Sequence, residues 1–330
     1  MRRRQFLALV GGAVSSAPLA VRAQRAERPP RVGVLMASAP DSTEYQSLFA
    51  AFDAGLRELG WKAGENLTIE TRWGGFDADL TKQAATDLVA LKPNVLVSST
   101  TPTTQALAEQ TRTIPIVFVN LVDPVGSKFV ASLPRPGGNL TGFVNNEPSM
   151  TGKWLEMLKE IAPATARVAF LFNPATAPYA DNFLKPLQAV AQRVGVLPVR
   201  TPVKNLTELS STVAEFARAA DGSIAVVPDS FMVAQTDHVI ALAAQYRLPL
   251  ISPYRFYTER GGLLSYGPDI ADNYRRAAGY VDRILKGEKP GELPVQAPVK
   301  FQFVINAKTA KTLGLDAPPM LLATAEEVIE

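Results

Sequence analysis

Six hydroxyl side chains fall within seven residues at Ser98-Ser99-Thr100-Thr101-Pro102-Thr103-Thr104. Proline is suited to the first turn of a helix, where its missing N–H costs nothing, so the segment reads as a loop entering a helix. Free backbone N–H groups and the positive end of the helix dipole gather at such a point, and with the hydroxyls they would cradle a carboxylate or another oxyanion. Capping of the helix's own N–H groups is the structural alternative for Thr100, Thr101 and Thr103. Asp229 supplies the complementary charge, because it follows the apolar run Ala225-Val226-Val227-Pro228 and would face a cleft at its end. Set opposite the hydroxyls it would hold an ammonium group, and the pair would recognise a zwitterion such as an amino acid. Its alternative role is the cap of the following helix.

The other polar loops at strand ends are Ala37 to Ser42 with Ser38, Asn120 to Pro124 with Asp123, Asn173 to Thr176, Asp229-Ser230, and Ser252-Pro253-Tyr254. Tyr254, Tyr266, Phe143 and Phe256 would wall the cleft or fill the core. Catalytic signals are weak by comparison. His238 is the one histidine and lies on a helical segment, with no G-x-S-x-G elbow in the chain. Glu326-Glu327 are adjacent and would not face one another on a helix. Neither a dinucleotide fingerprint nor a P-loop occurs, no Ca²⁺ loop pattern appears, and the absence of cysteine removes thiolate metal sites and a thiol nucleophile. The expectation is a binding protein with no catalytic residue, no metal and no cofactor.

The elements that must position these loops alternate regularly. Val32 to Met36 reads as a buried strand and Thr43 to Leu59 as a helix stopped by Gly60. Leu67 to Arg72, Leu80 to Leu91, Val95 to Val97, Thr103 to Thr111 and Ile116 to Val119 continue the alternation, which calls for a parallel sheet covered by helices on both faces. The order recurs from Arg167 to Phe172, through helices at Asp181 to Val194, Leu206 to Ala219 and Val233 to Tyr246, to a strand at Leu250-Ile251. A single long sheet would alternate in the same way, but the Gly- and Pro-rich stretch from Pro134 to Asn146 separates two copies.

The expected fold class is α/β, with two lobes of parallel sheet joined by a three-strand hinge. Residues 31–143 with about 267–300 would form lobe 1, and 147–263 with about 306–330 lobe 2. Hinge strands are expected near 143–146, 264–266 and 303–305, allowing closure around a ligand.

The 330 residues carry 34 Lys and Arg, 31 Asp and Glu, and a formal charge of +3. That balance is unevenly placed. Residues 1–23 combine Arg2, Arg3 and Arg4, an apolar stretch broken by Gly11, Gly12 and Pro18, and the small-residue pattern Val21-Arg22-Ala23, which reads as a signal peptide. Arg3-Arg4-Gln5-Phe6-Leu7 is similar to a twin-arginine export signal. Cleavage would remove four arginines and no acid, taking the formal charge from +3 to −1. The remaining chain has no Lys/Arg cluster, so a nucleic-acid partner is not expected. A soluble monomer in the periplasm is the expectation.

Four runs carry a family resemblance: MRRRQFLALVGG with AVRAQ, LVDPVGSKFVASLPRPGGNLTGF, LISPYRFYTERGGLLSYGPD and KFQFVINAKTAKTLGL. Together the chain resembles the ABC-transporter substrate-binding proteins of the tryptophan/tyrosine-binding type. The resemblance implies a type I periplasmic-binding-protein fold of two Rossmann-like lobes, no catalysis, and delivery of a captured solute to an ABC permease and its ATPase in the inner membrane. It implies ligand contacts at Ser38, Thr100 to Thr103, Asp123, Asn146, Asn173, Asp229 and Tyr254. Tryptophan-binding members commonly show Asp-Asn where this chain has Asp229-Ser230. The same fold also serves as a sensor domain that reports occupancy to a membrane kinase or chemoreceptor, which stands as the first alternative, with a hydrolase ranked behind it.

Overall fold

The computed structural model describes residues 29–145 and 149–330. The signal-peptide segment and Asn146 lie outside the described residues. The first half runs β1 (Arg31–Met36), α1 (Thr43–Glu58), β2 (Thr68–Trp73), α2 (Ala78–Ala90), β3 (Val95–Ser98), α3 (Thr101–Gln110), β4 (Ile116–Leu121) and β5 (Leu140–Val144). These strands form a parallel five-stranded sheet in the order β2-β1-β3-β4-β5. The second half runs α4 (Met150–Ile161), β6 (Arg167–Phe172), α5 (Asp181–Leu184), α6 (Leu187–Val194), β7 (Leu197–Pro202), α7 (Leu206–Phe216), β8 (Gly222–Val226), α8 (Ser230–Ala234) and α9 (Thr236–Gln245). It continues through β9 (Leu250–Ser252), α10 (Arg255–Glu259) and β10 (Leu264–Pro268). After α11 (Ile270–Leu285) come β11 (Phe301–Asn306), α12 (Ala307–Leu313), α13 (Pro319–Thr324) and β12 (Glu327–Ile329). The second sheet has the order β12-β11-β10-β9-β8-β6-β7, with β10 and β11 antiparallel and the other pairs parallel.

The central strands are apolar on both faces because both are covered, whereas the edge strands β2 and β7 are partly exposed and more polar. Val32, Val34 and Met36 of β1 pack with Phe52 and Leu56 of α1 and Tyr274 and Val281 of α11, while Leu35 faces the layer that holds Leu88 of α2 and Leu107 of α3. In the second sheet Phe170 and Phe172 face Trp154 and Leu158 of α4, and Ala169 and Leu171 face Leu209 and Val213 of α7. Full burial of one such Leu or Phe side chain stabilises by roughly 1.5–3 kcal/mol. Trp154 also donates its indole N–H to the Tyr266 carbonyl at 2.8 Å, joining α4 to β10. α11 packs in the first lobe although its sequence follows the second, whereas α12, α13 and β12 return to the second.

The chain therefore passes between lobes three times, and the passages lie side by side. Val144 N–H donates to the Gln296 carbonyl at 3.0 Å, and Gln296 N–H donates to the Gly142 carbonyl at 2.9 Å. Asp269 N–H donates to the Lys300 carbonyl at 3.0 Å, where β10 and β11 end their antiparallel pairing. Buried Asn273 of α11 ties in the first passage through its side-chain bond to the Val144 carbonyl, 3.2 Å.

Two expected helices are broken. Asp181 to Val194 divides into α5 and α6 at Lys185-Pro186, because a proline has no N–H to continue the ladder. Val233 to Tyr246 begins instead as α8 at Ser230, since Asp229 caps that turn, and the chain restarts as α9 after Gln235.

Candidate ligand-binding site

The carboxyl ends of both sheets open onto one cavity of about 330 Å³ between the lobes. The first turns of α1, α3, α8, α10 and α11 reach it through Tyr45, Thr101, Ser230, Arg255 and Ile270. Converging helix N-termini favour a negative group. The lining also carries acids, and most of them are engaged. Glu259 pairs with Arg255 at 2.6 Å, Arg255 reaches Glu327 at 2.8 Å, Glu44 pairs with Arg260, and Asp269 accepts the Asp272 N–H.

Asp229 is different in kind, being 2% exposed with no cation beside it among the described residues. Its Oδ2 accepts the Asn173 N–H at 2.6 Å, and Oδ1 accepts the Phe231 N–H at 2.9 Å and the Thr176 hydroxyl. Burial raises its carboxyl from 3.8 to about 6, a rise held back by those three hydrogen bonds. It is both the cap of α8 and a wall of the cavity. The phenols of Tyr254 and Tyr179 stay protonated, pushed up first by burial and then by the nearby Asp229 charge. Tyr179 donates to the Pro228 carbonyl at 3.0 Å, and Tyr254 accepts from Asn145 Nδ2 at 3.2 Å. Tyr254 stacks on Phe256 with ring centres 5.2 Å apart, giving the cavity an aromatic wall.

Of the expected contacts, Thr100, Thr101, Asp229, Ser230 and Tyr254 line this cavity. Ser38, Thr103, Asp123, Asn173 and Tyr266 do not. Ser38 is buried in the loop that follows β1 and donates to its neighbour's carbonyl. Most of the hydroxyl loop satisfies itself: Thr103 Oγ1 accepts the Thr100 N–H at 2.9 Å, Ser98 and Thr104 hydroxyls bond at 2.7 Å, and Ser99 accepts the Ala37 N–H at 2.8 Å. Asn173 spends its amide on Ala175 N–H and the Lys204 carbonyl, and meets the site only by holding Asp229. Tyr266 faces Lys153, whose ammonium donates to its hydroxyl at 2.8 Å. His238 sits on α9 against the Ser210 hydroxyl, 2.8 Å away, and is not part of the cavity.

Asp123 explains the DPVG run. Its Oδ1 accepts the Gly126 N–H at 2.9 Å, and a Cβ on Gly126 would stand 2.1 Å from Oδ2. Oδ2 accepts from Asn182 Nδ2 of the other lobe at 2.9 Å, so this Asp closes a turn and bridges the cleft edge. Tyr45, Tyr179 and Val233 line the cavity without having been singled out, and Asn120 and Val122 were read only as members of the loop that holds Asp123. Asn120 had a signal, its place at the end of an apolar strand. Tyr45 and Tyr179 have none, because an aromatic inside a helix or loop reads as core.

Two α/β lobes, three adjacent chain passages and a solute-sized cavity at the carboxyl ends of both sheets define a solute-binding protein of the type I periplasmic architecture. Residues 41–329 match the model of the family described as ABC transporter substrate binding protein, and the chain belongs to that family. It is similar to a tyrosine-binding protein of Clostridioides difficile, 24% identical over 265 residues that span 80% of this chain and 75% of the relative. Among solved structures, a conserved domain protein of Vibrio cholerae is 30% identical with a TM-score of 0.83, covering 91% of this chain and 99% of that one. An ABC domain from Streptococcus pneumonia in complex with L-Trp is 26% identical, with the same TM-score and coverage.

Proposed function

We propose that the protein is the periplasmic solute receptor of an ABC importer, exported by its N-terminal segment, and that it closes on an amino acid with an aromatic side chain. The observation that carries this is the division of the cavity. The buried Asp229, with no cation beside it among the described residues, lies on one lobe, the N-terminus of α3 with Thr100 and Thr101 on the other, and Tyr254 and Phe256 form an aromatic wall. Asp229 takes the α-ammonium, the helix end takes the α-carboxylate, and the rings take the side chain. The volume of about 330 Å³ suits one such molecule. The tyrosine-binding relative and the L-Trp complex support the same class of ligand. The captured solute then passes to a permease and its ATPase.

Thermal unfolding with L-tryptophan, L-tyrosine, tryptamine and indole-3-propionate tests the reading. The two amino acids should raise the transition in a concentration-dependent way, and the analogues lacking one charge should not. A transition that none of the amino acids moves would sink it.

A further inference from the structure

Asn120 is held in a costly position that no side-chain hydrogen bond among the described residues offsets. β4 slips its register against β5 between Val119 and Leu121, so Asn120 sits on a bulge. Its φ is +60°, in the left-handed region where most side chains are strained and Asn is among the few tolerated. Val119 and Leu121 on either side are fully buried, while the bulge turns Asn120 to the cavity. The amide makes no hydrogen bond to any described residue, and Oδ1 is shut away from solvent without a partner. A left-handed backbone is destabilising, and such a cost persists where a site requires it. With Oδ1 turned inward, Nδ2 is the end left for a ligand. It belongs to the same lobe as the N-terminus of α3, whose Thr101 Oγ1 accepts the Val122 N–H at 3.4 Å.

We propose that Asn120 is a specificity-determining residue of the solute site, its Nδ2 donating a hydrogen bond to the ligand's α-carboxylate. The assignment rests on the zwitterion reading above. It makes Asn120 a selector for a free carboxylate, completing the cradle that Thr100, Thr101 and the helix end begin.

Calorimetric titration of the full mature chain with L-tryptophan, L-tyrosine and their carboxamides tests it on wild type, Asn120→Gly and Asn120→Asp. Glycine adopts the left-handed φ without strain, so a purely conformational role would leave Asn120→Gly with wild-type affinity. The proposal requires Asn120→Gly to weaken binding of the amino acids roughly 10-fold while the unliganded protein unfolds at the same temperature or higher. Asn120→Asp places a like charge against the carboxylate. It should weaken the amino acids about 100-fold and the carboxamides far less. Asn120→Gly within twofold of wild type, or Asn120→Asp weakening acids and amides alike, overturns the assignment alone. Wild type that binds neither amino acid overturns the zwitterion reading and the assignment with it.

Discussion

Asp229 makes the site a titrating one. Its carboxyl is raised from 3.8 to about 6 by burial, so the folded, empty protein holds this proton more tightly than the unfolded chain does. The empty fold is thus favoured by the group at low pH, and the contribution, about 3 kcal/mol, is lost as pH rises from about 4 through about 6. An ammonium arriving beside it reverses the preference, because it stabilises the carboxylate and expels the proton. L-tryptophan affinity should be flat above pH 7 and about tenfold weaker at pH 5, with calorimetry in buffers of different ionisation enthalpy recording proton release near pH 6. Binding unchanged between pH 5 and 7.5 would remove Asp229 as the anchor. Thr176→Val tests the same group from behind: without the hydroxyl that bonds Oδ1, the carboxylate is less stabilised and the midpoint of the pH profile should move up by roughly one unit. Asp229 was legible in the sequence because an acid directly after an apolar strand and Pro228 has few places to go. Thr176 was not, since its role depends on a contact across 53 residues of chain.

The strand and helix alternation was legible from β1 to β4 and again from β6 to β9, because the central strands, buried on both faces, leave apolar runs that little else produces, whereas α4 between the two copies was not read. Less legible was the tail after β11, whose short α12, α13 and β12 hold together only against the second lobe and carry weak periodicity of their own. The RPGGN-TG run was visible as a motif but not as a mechanism, which is a close approach of two strands. Gly142 has φ +149°, and a Cβ there would stand 2.0 Å from the Phe118 carbonyl oxygen, beside the bulge that carries Asn120. Gly142→Ala should therefore lower the urea midpoint by far more than the ~1 kcal/mol of an ordinary Gly/Ala exchange and should abolish L-tryptophan binding in whatever remains folded. Gly138→Ala, in the same run, has nothing within 4 Å of the added carbon and should unfold like wild type. Equal behaviour of the two variants would detach the motif from the bulge.

Closure of the whole molecule depends on contacts that cross the cleft, and two of them differ in physics. Arg260 of the second lobe, anchored by Asp237 at 3.1 Å, pairs with Glu44 in the first turn of α1, over the cavity that Glu44 helps to line. At another point of the cleft edge Asn182 donates to Asp123. The ion pair is partly solvated, with side chains 37% and 25% exposed, so screening limits it to the range of about 0–1 kcal/mol. Even so, a closed state that must be reached before the ligand is held multiplies directly into affinity. Glu44→Gln should weaken L-tryptophan binding by roughly two- to fivefold at low salt, and the difference from wild type should vanish near 0.5 M NaCl, where the Debye length falls to a few ångströms. Exchanging the charges, Glu44→Arg with Arg260→Glu, should recover most of the loss, whereas either reversal alone places like charges across the gap and should leave the unliganded protein more open by X-ray scattering. Asn182→Ala breaks a bond with a neutral donor, so its effect should change less with salt. Glu44→Gln binding as wild type at low salt would show that the lobes are held by their apolar contacts, such as Val122 against the second lobe and Val233 against the first.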